Sequence, residues 1–180
     1  MFQGLTNNNS KTVSFAPDTV LTISDGQFVY RDANTVPHPF GRFSGELVYA
    51  VCEEEIGRVS LGFVASSGRK VMVMLPPAGG QTLRLLLPLA AVRAYRGRYL
   101  GIDVKPEMKN GKIRADVSVY DGNEKVSWTL AAEDAPKDKE GVAALVSSLI
   151  SDINAKLSHE SNDKSGGRVA PDIDDVPEGL

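Results

Sequence analysis

A single cysteine, Cys52, is all the thiol chemistry in this chain of 180 residues. It excludes an intramolecular disulfide and a cysteine metal cluster, and it fits a reducing compartment. Histidine is nearly as scarce: His38 and His159 form neither an HExxH motif nor a His-x-His pair. With Cys52 they make no zinc set of the usual spacing. Long apolar runs are missing too. The longest, over residues 85–92, is broken by Pro88 and is far short of the roughly 20 residues a membrane-spanning helix needs. The opening MFQGLTNNNSK has no basic region followed by an apolar run, so no secretion signal is expected and the expected location is the cytoplasm. PPAGGQT lacks the lysine and spacing of a phosphate-binding GxxxxGK[ST] loop, and no Gly-x-Ser-x-Gly occurs. No cofactor, metal or catalytic residue is implied. A hydrolase would need carboxylates converging from distant strands.

The remaining singular groups have ordinary readings. Cys52 precedes Glu53-Glu54-Glu55, an electronegative setting that raises a thiol pKa and does not activate it. It reads as a small core residue. The acidic triplet is either a divalent-cation ligand set or a solvated edge or hairpin tip. His38, in VPHPF, reads as a loop residue.

What is present is charge, unevenly placed. The chain is acidic overall, with net charge −3. Yet residues 56–114 hold eleven Lys or Arg against two acids, Asp103 and Glu107, while residues 133–180 hold five basic and eleven acidic residues. Such asymmetry points to a polyanion-binding surface with an acidic tail, the alternative being a charged face that only solvates the fold.

The first three-quarters of the chain has the period-2 pattern of strands. DTVLTIS (18–24) is followed by Asp25-Gly26 and QFVYR; FSGELVYAV, RVSLGFVAS and RKVMVML are each rich in β-branched, aromatic or alternating apolar residues. Ser66-Ser67-Gly68 turns the chain, and Pro76-Pro77-Ala78-Gly79-Gly80 breaks it, with a half flexible enough for a mobile loop. TLRLLL then reads as an apolar strand. RYLGIDVKP and KIRADVSVY are joined by Asn110-Gly111, and Asp121-Gly122 leads into KVSWTL. Asx-Gly between alternating strands is a hairpin signal, so the sheet is expected to be mostly antiparallel. Trp128, with Phe28, Tyr30 and Tyr120, reads as core or interface.

One helix is expected, over residues 138–159. Val142, Leu145, Val146, Leu149, Ile150, Ile153 and Leu157 share one face at a spacing of 3.6, and Asp138 is a candidate N-cap. It covers the sheet or packs against a copy of itself. After Ser161 the sequence becomes SNDKSGGRVAPDIDDVPEGL, poor in large apolar residues, and reads as a disordered tail.

Single-stranded nucleic acid is held by cations on phosphates and aromatic faces on unstacked bases. AVRAYRGRYLG (91–101) supplies Arg93, Arg96 and Arg98 with Tyr95 and Tyr99. In an extended segment the two parities put Arg96 and Arg98 opposite Tyr95 and Tyr99, unless Gly97 bulges the strand. Arg69-Lys70 at a hairpin exit, Arg84, and the run Lys105, Lys109, Lys112 and Arg114 around Asn110-Gly111 complete the expected nucleic-acid-binding set. Basic hairpin tips wrap a strand like fingers; alternatively, Lys109 and Lys112 merely solvate a tight turn.

The tail carries a resemblance. Asp172, Asp174, Asp175, Val176 and Pro177 are similar to the acidic, proline-containing C-terminus of bacterial and phage single-stranded-DNA-binding proteins. Glu178-Gly179-Leu180 stands where those end in Phe. A sheet followed by a C-terminal helix also resembles the whirly-like class of single-strand binders in layout. The group it most resembles is that of phage single-strand binders with unusual folds, which includes some that act as cofactors of a phage RNA polymerase. The resemblance implies a host-cytoplasmic location if phage-encoded, and a tail that recruits polymerase or other replication or transcription proteins. It also implies sequence-tolerant binding of single-stranded DNA without catalysis.

The expected molecule is therefore α+β and mainly β. A single β-rich nucleic-acid-binding domain spans 1–160, with its antiparallel sheet over about 11–130 and a C-terminal amphipathic helix, and a flexible acidic tail spans 161–180. A homo-oligomer, dimer or tetramer, is expected from the apolar stripe of the helix. The alternative is a non-enzymatic structural or oligomeric protein whose basic segment is a subunit interface.

Overall fold

The local signals for turns are obeyed where both turn residues tolerate positive φ. Asp25 and Gly26 have φ of 49° and 73°, and Asn110 and Gly111 have 52° and 71°. That pair of left-handed residues is what a type I′ turn needs to match the twist of the strands it joins. The computed structural model, which describes residues 15–31 and 33–162, uses them to close β1 (Thr19–Ser24) onto β2 (Gln27–Arg31) and β7 (Leu100–Lys109) onto β8 (Lys112–Asp121). The other strands are β3 (Pro37–Phe40), β4 (Arg42–Glu53), β5 (Arg58–Val64), β6 (Lys70–Leu75) and β9 (Glu124–Lys125). They form one sheet in the order β3-β2-β1-β6-β5-β4-β7-β8-β9. Neighbours are antiparallel except β1 and β6, which run parallel.

Two helices, α1 (Gly80–Ala91) and α2 (Lys139–Asn162), complete the fold. α1 is a correction to the strand expected for TLRLLL. A short apolar run buried on most sides has no periodicity that separates strand from helix, and Leu, Arg and Gln favour the helix. Thr82 donates its hydroxyl to Pro76 O at 2.6 Å, and Leu83, Leu85, Leu86 and Leu89 are buried. Pro88 lies inside the helix and is also buried.

α2 begins as its sequence predicts: the Asp138 carboxylate accepts the N–H of Gly141 at 2.7 Å, an N-cap bond. Its buried face, Val146, Leu149, Ile150 and Ile153, packs on β4 and α1. Asn154 donates to Ala50 O at 2.8 Å. Of the two roles open to this helix, covering the sheet is the one adopted, so the stripe is used within the chain.

Alternate residues of the strands join both helices in one core that includes Leu21, Phe28, Leu61, Phe63, Val73, Ile102 and Val119. The sheet coils strongly enough to bring distant strands together. Phe28 of β2 meets Phe43 of β4, with ring centroids 5.1 Å apart, and Phe43 meets Phe63 at 5.1 Å. β1, β6 and β5 lie between β2 and β4 in the sheet order.

Three smaller expectations change. His38 is not a loop residue but part of the edge strand β3, its ring stacked 4.8 Å from Tyr30. Pro37 and Pro39 fit there because an edge strand has N–H positions with no ladder to supply. KVSWTL yields only the two-residue β9, extended by one bond from Val126 N–H to Val119 O at 2.8 Å. Trp128 follows it and is 42% exposed, which removes the core reading and leaves the interface one. The tail residues Asp172, Asp174, Asp175, Val176 and Pro177 lie outside the described residues. Among the described residues, no helix is long and apolar enough to cross a membrane.

Candidate nucleic-acid interface

The cationic residues singled out by the sequence are divided between two ends of the sheet. β7 runs from the arginine-rich loop (92–99) to the Asn110-Gly111 turn, and ten extended residues span about 30 Å. At the loop end the Arg69-Lys70 pair also sits, since Lys70 pairs with Val64, which in turn pairs with Glu46. At the other end are Arg84, Lys105, Lys109, Lys112 and Arg114. They do not form one continuous patch.

The loop is not an extended strand, and most of its groups are engaged internally. Tyr95 is fully buried, and its hydroxyl donates to Leu89 O at 2.8 Å. Lys156 of α2 donates to Ala90 O and, at 2.8 Å, to Val92 O. The Tyr95 hydroxyl and the Lys156 ammonium thus meet carbonyls at the C-terminal end of α1, where a helix leaves acceptors unpaired. Burial pushes the Tyr95 phenol well above the ordinary tyrosine pKa, with the Glu160 and then the Asp152 carboxylate adding to it. Three successive backbone N–H groups are taken by carboxylates. Tyr95 and Arg96 donate to Glu160 at 2.7 and 3.2 Å, and Gly97 donates to Glu46 at 2.9 Å. The Arg96 guanidinium donates to Glu160 O at 3.2 Å, and Arg98 is ion-paired with Asp121 at 2.5 Å. The expectation that Tyr95 offers a ring to a base is corrected: a side chain with no exposed surface has no face to stack on. Arg93, Arg96, Arg98 and Tyr99 are all exposed, but the guanidinium groups of Arg96 and Arg98 are bonded within the loop's surroundings.

The opposite end has another character. Every residue from 105 to 114 is exposed, so the β7–β8 hairpin projects from the sheet as a two-stranded arm. It carries four cations and one acid, Glu107. Register places Lys105 opposite Asp116 and Arg114 opposite Glu107, while Lys109 lies opposite Lys112. The inner cations therefore have acidic neighbours, and the tip presents two like charges across a tight turn, which disfavours the hairpin.

The base of the arm is buttressed. A Cβ on Gly26 would lie 2.4 Å from Pro106 Cα and 3.0 Å from Arg114 O. Only glycine permits the β1–β2 turn to seat there at positive φ. Beside it, Arg84 donates to Ala115 O at 2.7 Å, tying α1 to β8. An open concavity lined by Asp25, Gly80, Arg84 and Arg114 holds the start of α1, whose N-cap, Gly79, supplies no side-chain bond. The positive end of the helix adds to the two guanidinium groups there.

Two further features lie outside the site residues that the sequence singles out. Met108 and Ile113 face each other at the arm tip and are 69% and 51% exposed. Counting outward from the Asn110-Gly111 turn pairs them without a structure. Arg42 stands 5.5 Å over the Tyr120 ring and 3.3 Å from Asp103; no sequence signal joins them, because β4 and β8 meet only through β7.

Glu53 pairs with Arg58 at 2.6 Å, and Glu54 and Glu55 sit in the short 3-10 turn that follows. Burial, then the Glu54 carboxylate, raises the Cys52 thiol pKa. Among the described residues no group of three His, Cys, Asp or Glu is placed to hold a metal ion. No family model, curated protein or solved structure matches this chain.

Proposed function

We propose that this protein binds single-stranded DNA, with little regard to sequence and without catalysis, through the β7–β8 arm and the cationic concavity at its base. The observation that carries this reading is the Lys109–Lys112 pair at the end of a wholly exposed ribbon. Two like charges held opposite each other raise the energy of the free arm and lower it again when phosphates lie between them. Lys105, Arg114 and Arg84 extend the cationic track toward the positive end of α1. Arg93 and Tyr99, with Arg69 and Lys70, offer a second contact region at the far end of the sheet. Such a binder serves replication, recombination or transcription, and a tail bearing Asp174, Asp175, Val176 and Pro177 recruits proteins of those processes.

Assembly into a dimer or tetramer would let one strand cross several arms and gain avidity. The stripe on α2 does not supply the joint. Light scattering at micromolar protein that finds only monomer removes this part of the proposal.

Filter binding of a labelled single-stranded oligonucleotide at two salt concentrations tests the function. Strong binding that weakens steeply with salt is expected. No binding at low salt overturns the reading.

A further inference from the structure

We infer that Met108 and Ile113 form an apolar platform at the arm tip that takes up unstacked nucleobases, an inference that rests on the single-strand reading of the same arm. The two residues are cross-strand partners, on the ribbon face opposite Lys109 and Lys112. The next pair inward on their face is Pro106 and Ala115. There Gly26 packs against Pro106, and Ala115 is buried. The apolar face of the hairpin thus continues outward from the packed fold and ends, uncovered, in the two largest apolar side chains of the arm. Neither position contributes to the core at 69% and 51% exposure. Any strand-forming residue would serve the hairpin there.

The flanking charge selects the occupant. Lys109 and Lys112 border the apolar pair on the turn side, and their four-carbon stems carry the ammonium groups past the edge of a narrow ribbon. A ligand that suits this tip has flat apolar faces alternating with anionic groups along a flexible chain. An unpaired polynucleotide has that chemistry. In a duplex the bases are stacked on each other, and opening a step to admit an apolar wedge costs energy that a single strand largely escapes. A second copy of the arm would match apolar to apolar, but it would bring four lysines together.

The test uses the full-length protein, the double variant Met108→Thr/Ile113→Thr, and three labelled probes: a single-stranded oligonucleotide, an abasic strand of equal length and charge, and a duplex. Threonine keeps the strand preference at both positions. Wild type is expected to favour the base-bearing strand over the abasic one roughly tenfold, the scale of one good apolar or stacking contact. The double variant is expected to lose that preference while keeping its affinity for the abasic strand and its salt slope. Three results would overturn the platform and leave the arm reading intact: equal wild-type affinity for base-bearing and abasic strands, full retention of base-bearing affinity by the variant, or tighter binding of the duplex. If wild type binds no strand at low salt, the reading of the arm fails and the platform with it. If the variant turns an oligomer into a monomer by light scattering, the patch belongs to a second copy and the inference is wrong.

Discussion

Tyr95 shows how far one residue's role depends on its surroundings. In the sequence it stands among arginines and invites a stacking role; in the fold its ring is sealed and its hydroxyl bonded to Leu89 O. Its raised pKa has a consequence for stability. In the unfolded chain the phenol ionises near the ordinary value of about 10, whereas the folded chain keeps it protonated. Above that pH the unfolded state binds fewer protons than the folded one, so stability falls as pH rises. Below it Tyr95 makes no pH-dependent difference. Tyr95→Phe should cost about 1 kcal/mol at neutral pH for the lost hydrogen bond, yet show a shallower decline in alkaline urea titrations. An equal alkaline slope in both proteins would exclude Tyr95 as the source. Gly26 makes a different kind of residue-scale case. Gly26→Ala meets Pro106 Cα at 2.4 Å and has a φ of +73°; a loss of about 1–3 kcal/mol is expected. A wild-type melting temperature would show that the turn is not seated against the arm.

At the scale of elements, the arm and the arginine loop make opposite predictions. Lys109→Ala/Lys112→Ala should weaken single-strand binding and reduce the salt slope by roughly 0.7 per lost phosphate contact. It should also leave the fold intact or slightly more stable, because a repulsive pair is removed. The loop contrasts with this, since Glu160 accepts the N–H groups of both Tyr95 and Arg96. Glu160→Ala should destabilise by about 1–3 kcal/mol, measured by urea unfolding, with single-strand affinity little changed. If the lysine variant binds normally and the glutamate variant does not, the loop is the site and the arm is not. The arm itself was legible: Asn110-Gly111 between alternating runs sets the turn, and the turn sets which residues oppose. α1 was not legible. TLRLLL is buried by α2 and the sheet together, so its pattern carries no sign of which secondary structure holds it.

At the scale of the whole molecule, α2 ends beside the arginine loop, since Glu160 is bonded there and Asn162 is the last residue of the helix. Eighteen residues follow, long enough at full extension to reach the arm. Deleting residues 165–180 removes Asp172, Asp174, Asp175 and Glu178 against Arg168. An acidic segment tethered near a cationic surface competes with nucleic acid for it. The truncated protein is expected to bind single-stranded DNA more tightly at low salt, with the advantage shrinking as salt screens the internal contact. Its melting temperature should barely move, because the segment is too poor in large apolar residues to belong to the core. Weaker binding by the truncated protein at low salt would show that the tail supports DNA binding.

Local chemistry alone determined the hairpin turns, the alternation of most strands, and the N-cap and buried stripe of α2. Each depends on residues within a few positions of one another: two left-handed dihedrals, a period of two, or a carboxylate three residues before an N–H. Tertiary structure alone decided that β1 runs parallel to β6, that β2 curls back to β4, and that residues 82–87 are helical. It also decided which cations remain open to a partner. Arg98 and Asp121 are 23 positions apart in the chain, and no periodicity links them. An arginine counts toward a binding surface only after the fold has determined which carboxylates reach it first.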